Sequence, residues 1–180
     1  MFRTIQSKRW TAWAGALALA PGLLWAQARP ATGYSQPPKA ILDAMLAPSP
    51  ASPVISPSLD RLLLVSWEDY PSISRVATPY LRLAGVRIEP RNHSKHDTPG
   101  GYGIPAAARS FELVRIPDGA TTKVQLPVGG IMQAPLWNAT GTRFAFSRVT
   151  DHSVELLMGD GATGATRQIP GVWVNQMLGG

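Results

Sequence analysis

The chain has no cysteine at all. That absence removes a disulfide framework, a thiolate zinc site, a cysteine nucleophile and the acylated cysteine of a lipoprotein. Charged residues are sparse at 16%, and aromatic residues make up 8%. With 44% apolar residues over 180 positions, the composition is still that of one ordinary globular domain with a core of useful size. Seventeen prolines and 17 glycines argue against a helical bundle and for many turns. No spacing of chemically active side chains forms a catalytic constellation, so the residues by themselves name no catalytic, cofactor-binding or metal-binding position.

The net charge of +6 would suggest nucleic acid if it were spread over a folded surface. Much of it lies at the start. Arg3, Lys8 and Arg9 precede an apolar stretch from Trp10 to Ala26, and Ala26-Gln27-Ala28 places small residues where a signal peptidase reads them. Residues 1–28 therefore read as a signal peptide cleaved after Ala28. A membrane anchor needs about 20 apolar residues; this run is shorter and Pro21-Gly22 interrupts it. Cleavage removes three basic groups and no acidic ones, which lowers the net charge to +3. No basic run interleaved with aromatics remains, so nucleic acid is excluded as a partner, no membrane anchor follows cleavage, and the expected location is periplasmic or secreted.

Residues 29–53 form a proline-rich lead-in with Pro37-Pro38 and the Pro48, Pro50, Pro53 series. Its middle, Ala40 to Leu46, predicts two helical turns. From residue 54 short strands alternate with turn signals. Arg61 to Trp67 predicts a strand buried on both faces, since it contains a continuous apolar run. Further strands are predicted at Leu81 to Ile88, Phe111 to Ile116, Thr122 to Leu126, Arg143 to Val149, Val154 to Met158 and Thr166 to Ile169. Asp118-Gly119, Thr140-Gly141, Asp160-Gly161 and Thr163-Gly164 supply tight turns, so the tail reads as an antiparallel meander.

The chain also repeats itself. Phe111-Glu112-Leu113-Val114 lies on Val154-Glu155-Leu156-Leu157, and Gln125-Leu126-Pro127 on Gln168-Ile169-Pro170, at an offset of 43. Ile55 to Leu64 lies on Trp137 to Phe146 at an offset of 82. A period near 43 fits the roughly 40–50 residues of one four-stranded propeller blade. The larger offset implies an insertion in the first unit at about residues 68–109. The predicted fold is all-β, an incomplete β-propeller of about two four-stranded blades. The first spans 54–127 with its insertion, and the second spans 128–180 and is truncated before a third. A complete small β-sandwich is the competing architecture if the match is accidental.

The Ser56-Pro57 turn before Arg61 to Leu64, and its counterpart Trp137 to Phe146, resemble the S-P-D-G-x-x-[IL]-[AV]-[FY] opening of blades in prolyl-oligopeptidase-family serine peptidases. Pro71-Ser72-Ile73-Ser74 followed by Pro79 to Ile88, with Arg82-Leu83-Ala84-Gly85-Val86-Arg87-Ile88, is similar to the R-L-A-G-[LV]-R-I signature of the glutamyl-endopeptidase-like branch. The likeness covers about residues 34–180. Ser58-Leu59 departs from the Asp-Gly of the first turn, Asn138-Ala139-Thr140 from Ser-Pro-Asp, and Glu89 stands where that branch has asparagine. The resemblance implies a propeller that gates peptide substrates, followed by an α/β-hydrolase domain with a Ser, Asp, His triad. A nucleophile of that kind sits in a G-x-S-x-G elbow, and no such motif occurs in these 180 residues. The expected function is a non-catalytic amino-terminal propeller segment of an exported serine peptidase, with peptide hydrolysis belonging to the full-length parent and peptide substrates met through it. The alternative is a periplasmic propeller that binds partners without enzymatic activity. A unit with both flanks bare is expected to be poorly stable alone.

The other polar features read as ordinary structure. His93 and His96 flank Ser94-Lys95 in a predicted solvated loop, and neither pairs with His152 at metal-ligand spacing. Glu68 and Asp69 are strand neighbours, which point to opposite faces. Gly100-Gly101-Tyr102-Gly103 lacks the lysine and helix of a phosphate cradle and reads as a flexible loop. Asn92-His93-Ser94 and Asn138-Ala139-Thr140 match the glycosylation sequon, the second serving a turn. Trp67, Trp137 and Trp173 read as packing between repeats.

Overall fold

A computed structural model describes residues 35–97 and 103–176. The predicted signal peptide, the Gly100 to Tyr102 stretch and the last four residues lie outside them. The chain divides into two units, residues 1–45 and 46–180. In the first, α1 (Lys39–Met45) is a seven-residue helix with no buried side chain, carrying a Lys39–Asp43 ion pair at 2.6 Å.

The second unit is antiparallel and strand-rich. Its strands are β1 (Ser52–Ile55), β2 (Arg61–Trp67), β3 (Leu81–Leu83), β4 (Val86–Ile88), β5 (Ala108–Arg115), β6 (Thr121–Lys123), β7 (Ile131–Met132), β8 (Leu136–Trp137), β9 (Arg143–Val149), β10 (Val154–Asp160) and β11 (Thr166–Trp173). One short helix, α2 (Ile73–Val76), lies between β2 and β3. Successive pairings β1-β2-β5-β6 make one four-stranded meander, and β8-β9-β10-β11 make a second. β7 joins them edgewise, pairing Met132 with Ala108 of β5 and Ile131 and Met132 with Val149 and Arg148 of β9, so these nine strands form one hydrogen-bonded sheet. The described residues form no closed ring of such units.

The two meanders share one register. Ser56 N–H donates to Arg61 O (3.0 Å) and Leu59 N–H to Ser56 O (2.9 Å); Asn138 N–H donates to Arg143 O (2.9 Å) and Gly141 N–H to Asn138 O (3.0 Å). The offset of 82 read from the sequence therefore holds through the first hairpin of each. In the second hairpin Arg115 N–H donates to Ala120 O and Gly119 N–H to Arg115 O, whereas Asp160 N–H donates to Ala165 O and Gly164 N–H to Asp160 O. That correspondence falls at an offset of 45, and so do Leu113 with Met158, Glu112 with Leu157 and Lys123 with Gln168 once Leu63 is set on Ala145 at 82. The 43-residue match is thus two positions out. Glu112 corresponds to Leu157, and Gln168 to Lys123.

Although the registers agree, opposite faces are buried. In the first meander Leu63, Val65, Phe111 and Leu113 are buried; their counterparts Ala145, Ser147, Leu156 and Met158 are only partly so. In the second, Phe144, Phe146 and Leu157 are buried, and they correspond to the less buried Leu62, Leu64 and Glu112. Because side chains alternate along a strand, this phase change means that each meander turns a different face inward, one onto the other. The Phe111 and Phe146 rings meet edge to face at 5.2 Å. Trp137 packs edge-on against Phe144 at 5.5 Å, and its Nε1 donates to Val54 O at 2.9 Å. Trp67 also packs on this core, but Trp173 is 71% exposed, which corrects its placement as packing.

Two further expectations change. β2 is fully buried on one face only: Leu63 and Val65 are buried, whereas Leu62, Leu64 and Ser66 on the other face are partly buried. Leu81 to Ile88 is a hairpin, with Leu83 paired to Val86 and Ala84-Gly85 at φ 48° and 84° as its two-residue turn.

The hairpin turns of the two meanders also touch. A Cβ on Gly141, at φ +69°, would lie 2.1 Å from Ser56 Oγ; one on Gly119, at φ +68°, would meet nothing within 4 Å. Gly119→Ala should cost only the left-handed backbone penalty of about 1–2 kcal/mol. Gly141→Ala should cost clearly more, as read by urea denaturation. At the same corner Ser58 Oγ donates to Asp60, and Arg61 holds the Asp60 carboxylate while its Nη1 donates to Gly161 O at 2.7 Å. Asp60 is lowered to about 2, first by the Arg61 hydrogen bond and then by Ser58. A depressed carboxyl stabilises the fold above its unfolded value and loses that contribution as pH falls toward 2. Asp60→Asn should therefore flatten the loss of stability between about pH 4 and pH 2, followed by urea midpoints across that range.

Candidate functional site

The connection from β2 to β5 carries the densest cluster of buried polar groups among the described residues: Glu89, Asn92, Ser94, His96 and Asp97. Local sequence builds it. Ser72 caps α2, its side chain accepting from Arg75 N–H at 3.2 Å, and so fixes the turn that carries the Arg75 guanidinium. After β4 the chain folds back: Ile88 bridges Lys95, Glu89 N–H donates to Ser94 O (3.0 Å), and His96 N–H to Arg87 O (2.9 Å). His93, at φ 60°, makes the bend.

Three side chains converge on the Glu89 carboxylate. Arg75 forms an ion pair with it, His96 Nδ1 lies 3.1 Å from Oε1, and Asn92 Nδ2 lies 3.5 Å from Oε2. The side chains of Glu89 and His96 are 7% and 4% exposed. Tyr80 stacks on His96 with centroids 4.7 Å apart, Arg87 lies over the Tyr80 ring at 5.4 Å, and Arg87 pairs with Asp97 at 3.5 Å. The cluster is tied to the second meander by Asn92 Nδ2, which donates to Thr150 O (2.9 Å), and by Lys95 N–H, which donates to Gln176 Oε1 (3.0 Å).

His96 is therefore no solvated loop residue, whereas His93 and His152 are exposed. Asn92 is buried and spends its amide on two protein oxygens, which leaves no room for a sugar on the first sequon. Asn138 Oδ1 accepts from Thr142 and Arg143 N–H, both at 3.0 Å, so the second sequon does serve its turn. Arg75, Tyr80 and Glu89 were not singled out as a group from the sequence; the one available signal was the unexpected glutamate at 89.

Two clefts flank the cluster and share Arg75, Thr78 and Ile131 in their walls. The first, about 570 Å³, runs past Glu68, Asp69 and the stretch Ile104 to Ala107; the second, about 520 Å³, runs past Glu89, Asn92 and Asp151. Glu68 is exposed, and Asp69 is held below the usual carboxylate range by hydrogen bonding with Ser49. Asp69 is thus an anion at neutral pH and no proton donor. Glu89 is engaged by Arg75, His96 and Asn92 and serves the fold of the insertion. The arrangement can bind and orient, and among the described residues there is no group of three or more ligands for a metal ion.

No protein-family model matches the chain. It is 30% identical over 128 residues to a protein of Arabidopsis thaliana named probable glutamyl endopeptidase, chloroplastic, covering 68% of this chain and 12% of that protein. It is 27% identical over 164 residues to an Oryza sativa subsp. japonica protein of the same name, covering 81% of this chain and 16% of that one. The chain thus spans less than a fifth of the length of these curated relatives. This partial likeness marks it as peptidase-related and goes no finer.

Removing one partner from a buried ion pair costs about 3–5 kcal/mol. Glu89→Ala should lose stability on that scale and open residues 68–107 to limited proteolysis, whereas His152→Ala should stay within about 0.5 kcal/mol. Urea melts and mass-spectrometric mapping of the first tryptic cuts report both.

Proposed function

We propose that this chain is a non-catalytic, amino-terminal piece of the β-propeller of an exported serine peptidase, periplasmic or secreted. In this reading each four-stranded meander is a blade. The parent polypeptide hydrolyses peptides with a triad outside these residues, and the propeller limits which peptides reach it. The observation that carries the reading is the pair of register-matched meanders stacked through opposite faces, as successive blades of a propeller stack. Partial likeness to two proteins named glutamyl endopeptidases supports the peptidase half. The lack of a G-x-S-x-G elbow supports placing catalysis elsewhere. The clefts beside Arg75 and Ile131 give the insertion a concave surface on which an extended peptide could be oriented.

The test is to label the parent polypeptide with a serine-reactive fluorophosphonate and map the adduct. The expected adduct lies on a serine outside this segment, with loss of peptide hydrolysis. An adduct within residues 1–180, or a parent that neither reacts nor hydrolyses peptides, would overturn the proposal.

A further inference from the structure

The phase change between the meanders leaves each with one open face. The open face of the first presents Ile55, Leu62, Leu64 and Val114 around the cross-strand pair Glu112 and Lys123; that of the second presents Leu136, Ala145, Leu156 and Met158. Ile55 is 55% exposed and Leu136 is 72% exposed, and both lie in the first strand of their meander. Their counterparts at the shared register are engaged. Ile55 corresponds to Trp137, which packs on the core and bonds Val54 O, and Leu136 corresponds to Val54, which packs on the same core. Each open face is therefore the positional equivalent of a face that the other meander has already buried. The first meander's open face matches the one the second meander turns inward, and the second meander's open face matches the one the first turns inward.

We propose that in the isolated chain the occupant of each open face is a second copy. The first meander of one molecule seats on the second meander of the next and so repeats the internal contact between molecules. This rests on the stacking half of the reading above and not on its peptidase half. The contact joins two different surfaces, so it is heterologous, and such contacts propagate until the rotation closes. Propellers close with about four to eight blades. At two meanders per chain, closure takes about two to four copies.

The test is light scattering on the purified chain during size exclusion, with Ile55→Glu and Leu136→Glu as variants at exposed positions. The wild type should run as an assembly of about two to four copies at micromolar concentration. Each variant has lost one face and should be monomeric alone. Mixed in equal amounts they should form a heterodimer and nothing larger, because each brings the intact face that the other lacks. A wild type that stays monomeric at about 100 µM would sink the proposal whatever the variants do. So would a dimer that either variant abolishes without rescue on mixing, since that is the behaviour of a self-complementary interface. Circular dichroism melts confirm that both variants are folded. Fluorophosphonate labelling of the parent is independent of this outcome, so the two readings fail separately.

Discussion

The contact on which the second unit depends is the apolar one between two meanders of one sheet, identical in register and opposite in phase. Phe111 meeting Phe146 at 5.2 Å is its centre, with Leu63, Val65 and Leu113 on one side and Phe144 and Leu157 on the other. A single four-stranded meander has too little apolar area on one face to offset the entropy of ordering its strands. Each supplies the wall that the other lacks. The alternation of side chains then does the rest: at matched positions a residue that is core in one meander is on the open face in the other, so Leu113 and Met158, or Leu64 and Phe146, share a place in the ladder and differ in environment.

That alternation explains what could and could not be read from the sequence. The 82-residue correspondence was legible because the first hairpin is fixed by its turn: Ser56 and Asn138, Leu59 and Gly141, Arg61 and Arg143 all answer to one hydrogen-bond pattern. The second correspondence was misread by two residues because identical letters, Glu112 with Glu155 and Gln125 with Gln168, outweighed the glycines that set the turn. Gly119 and Gly164, at φ 68° and 70°, mark the true offset. Hydrophobic pattern could not correct the error, since true equivalents bury opposite faces. β7 and β8, at two residues each, are too short for any periodicity to show. The solvated reading of His96 failed for a different reason: nothing local to a polar stretch shows that an arginine 21 positions earlier and a glutamate seven positions earlier will enclose it.

The insertion solves a different problem from the meanders. With a four-residue helix and a hairpin of two three-residue strands it cannot assemble an apolar core, and Ile73 and Leu83 remain largely exposed. It is organised around one carboxylate. Burying Glu89 would be costly by itself, but Arg75, His96 and Asn92 occupy its lone pairs, and the Tyr80 ring covers His96 from the side. Charge-assisted bonds are directional, so this small element has a defined shape without a hydrophobic interior.

Directionality also matters for the contact between the meanders, because apolar packing resists separation far better than it resists sliding. The two ends of the interface carry the polar contacts that fix its position. At the turn end Arg61 reaches Gly161 O, and Ser56 Oγ donates to Gly141 O at 3.3 Å. At the far end the insertion reaches across, Asn92 to Thr150 and Lys95 to Gln176, while Gln176 donates to Gln133 at 2.5 Å. The two clefts open beside this far end, with Arg75 in both walls. Their geometry is therefore set by the same carboxylate that holds the insertion together, so a loss at Glu89 would release the wall of the clefts and the lock on the meanders together.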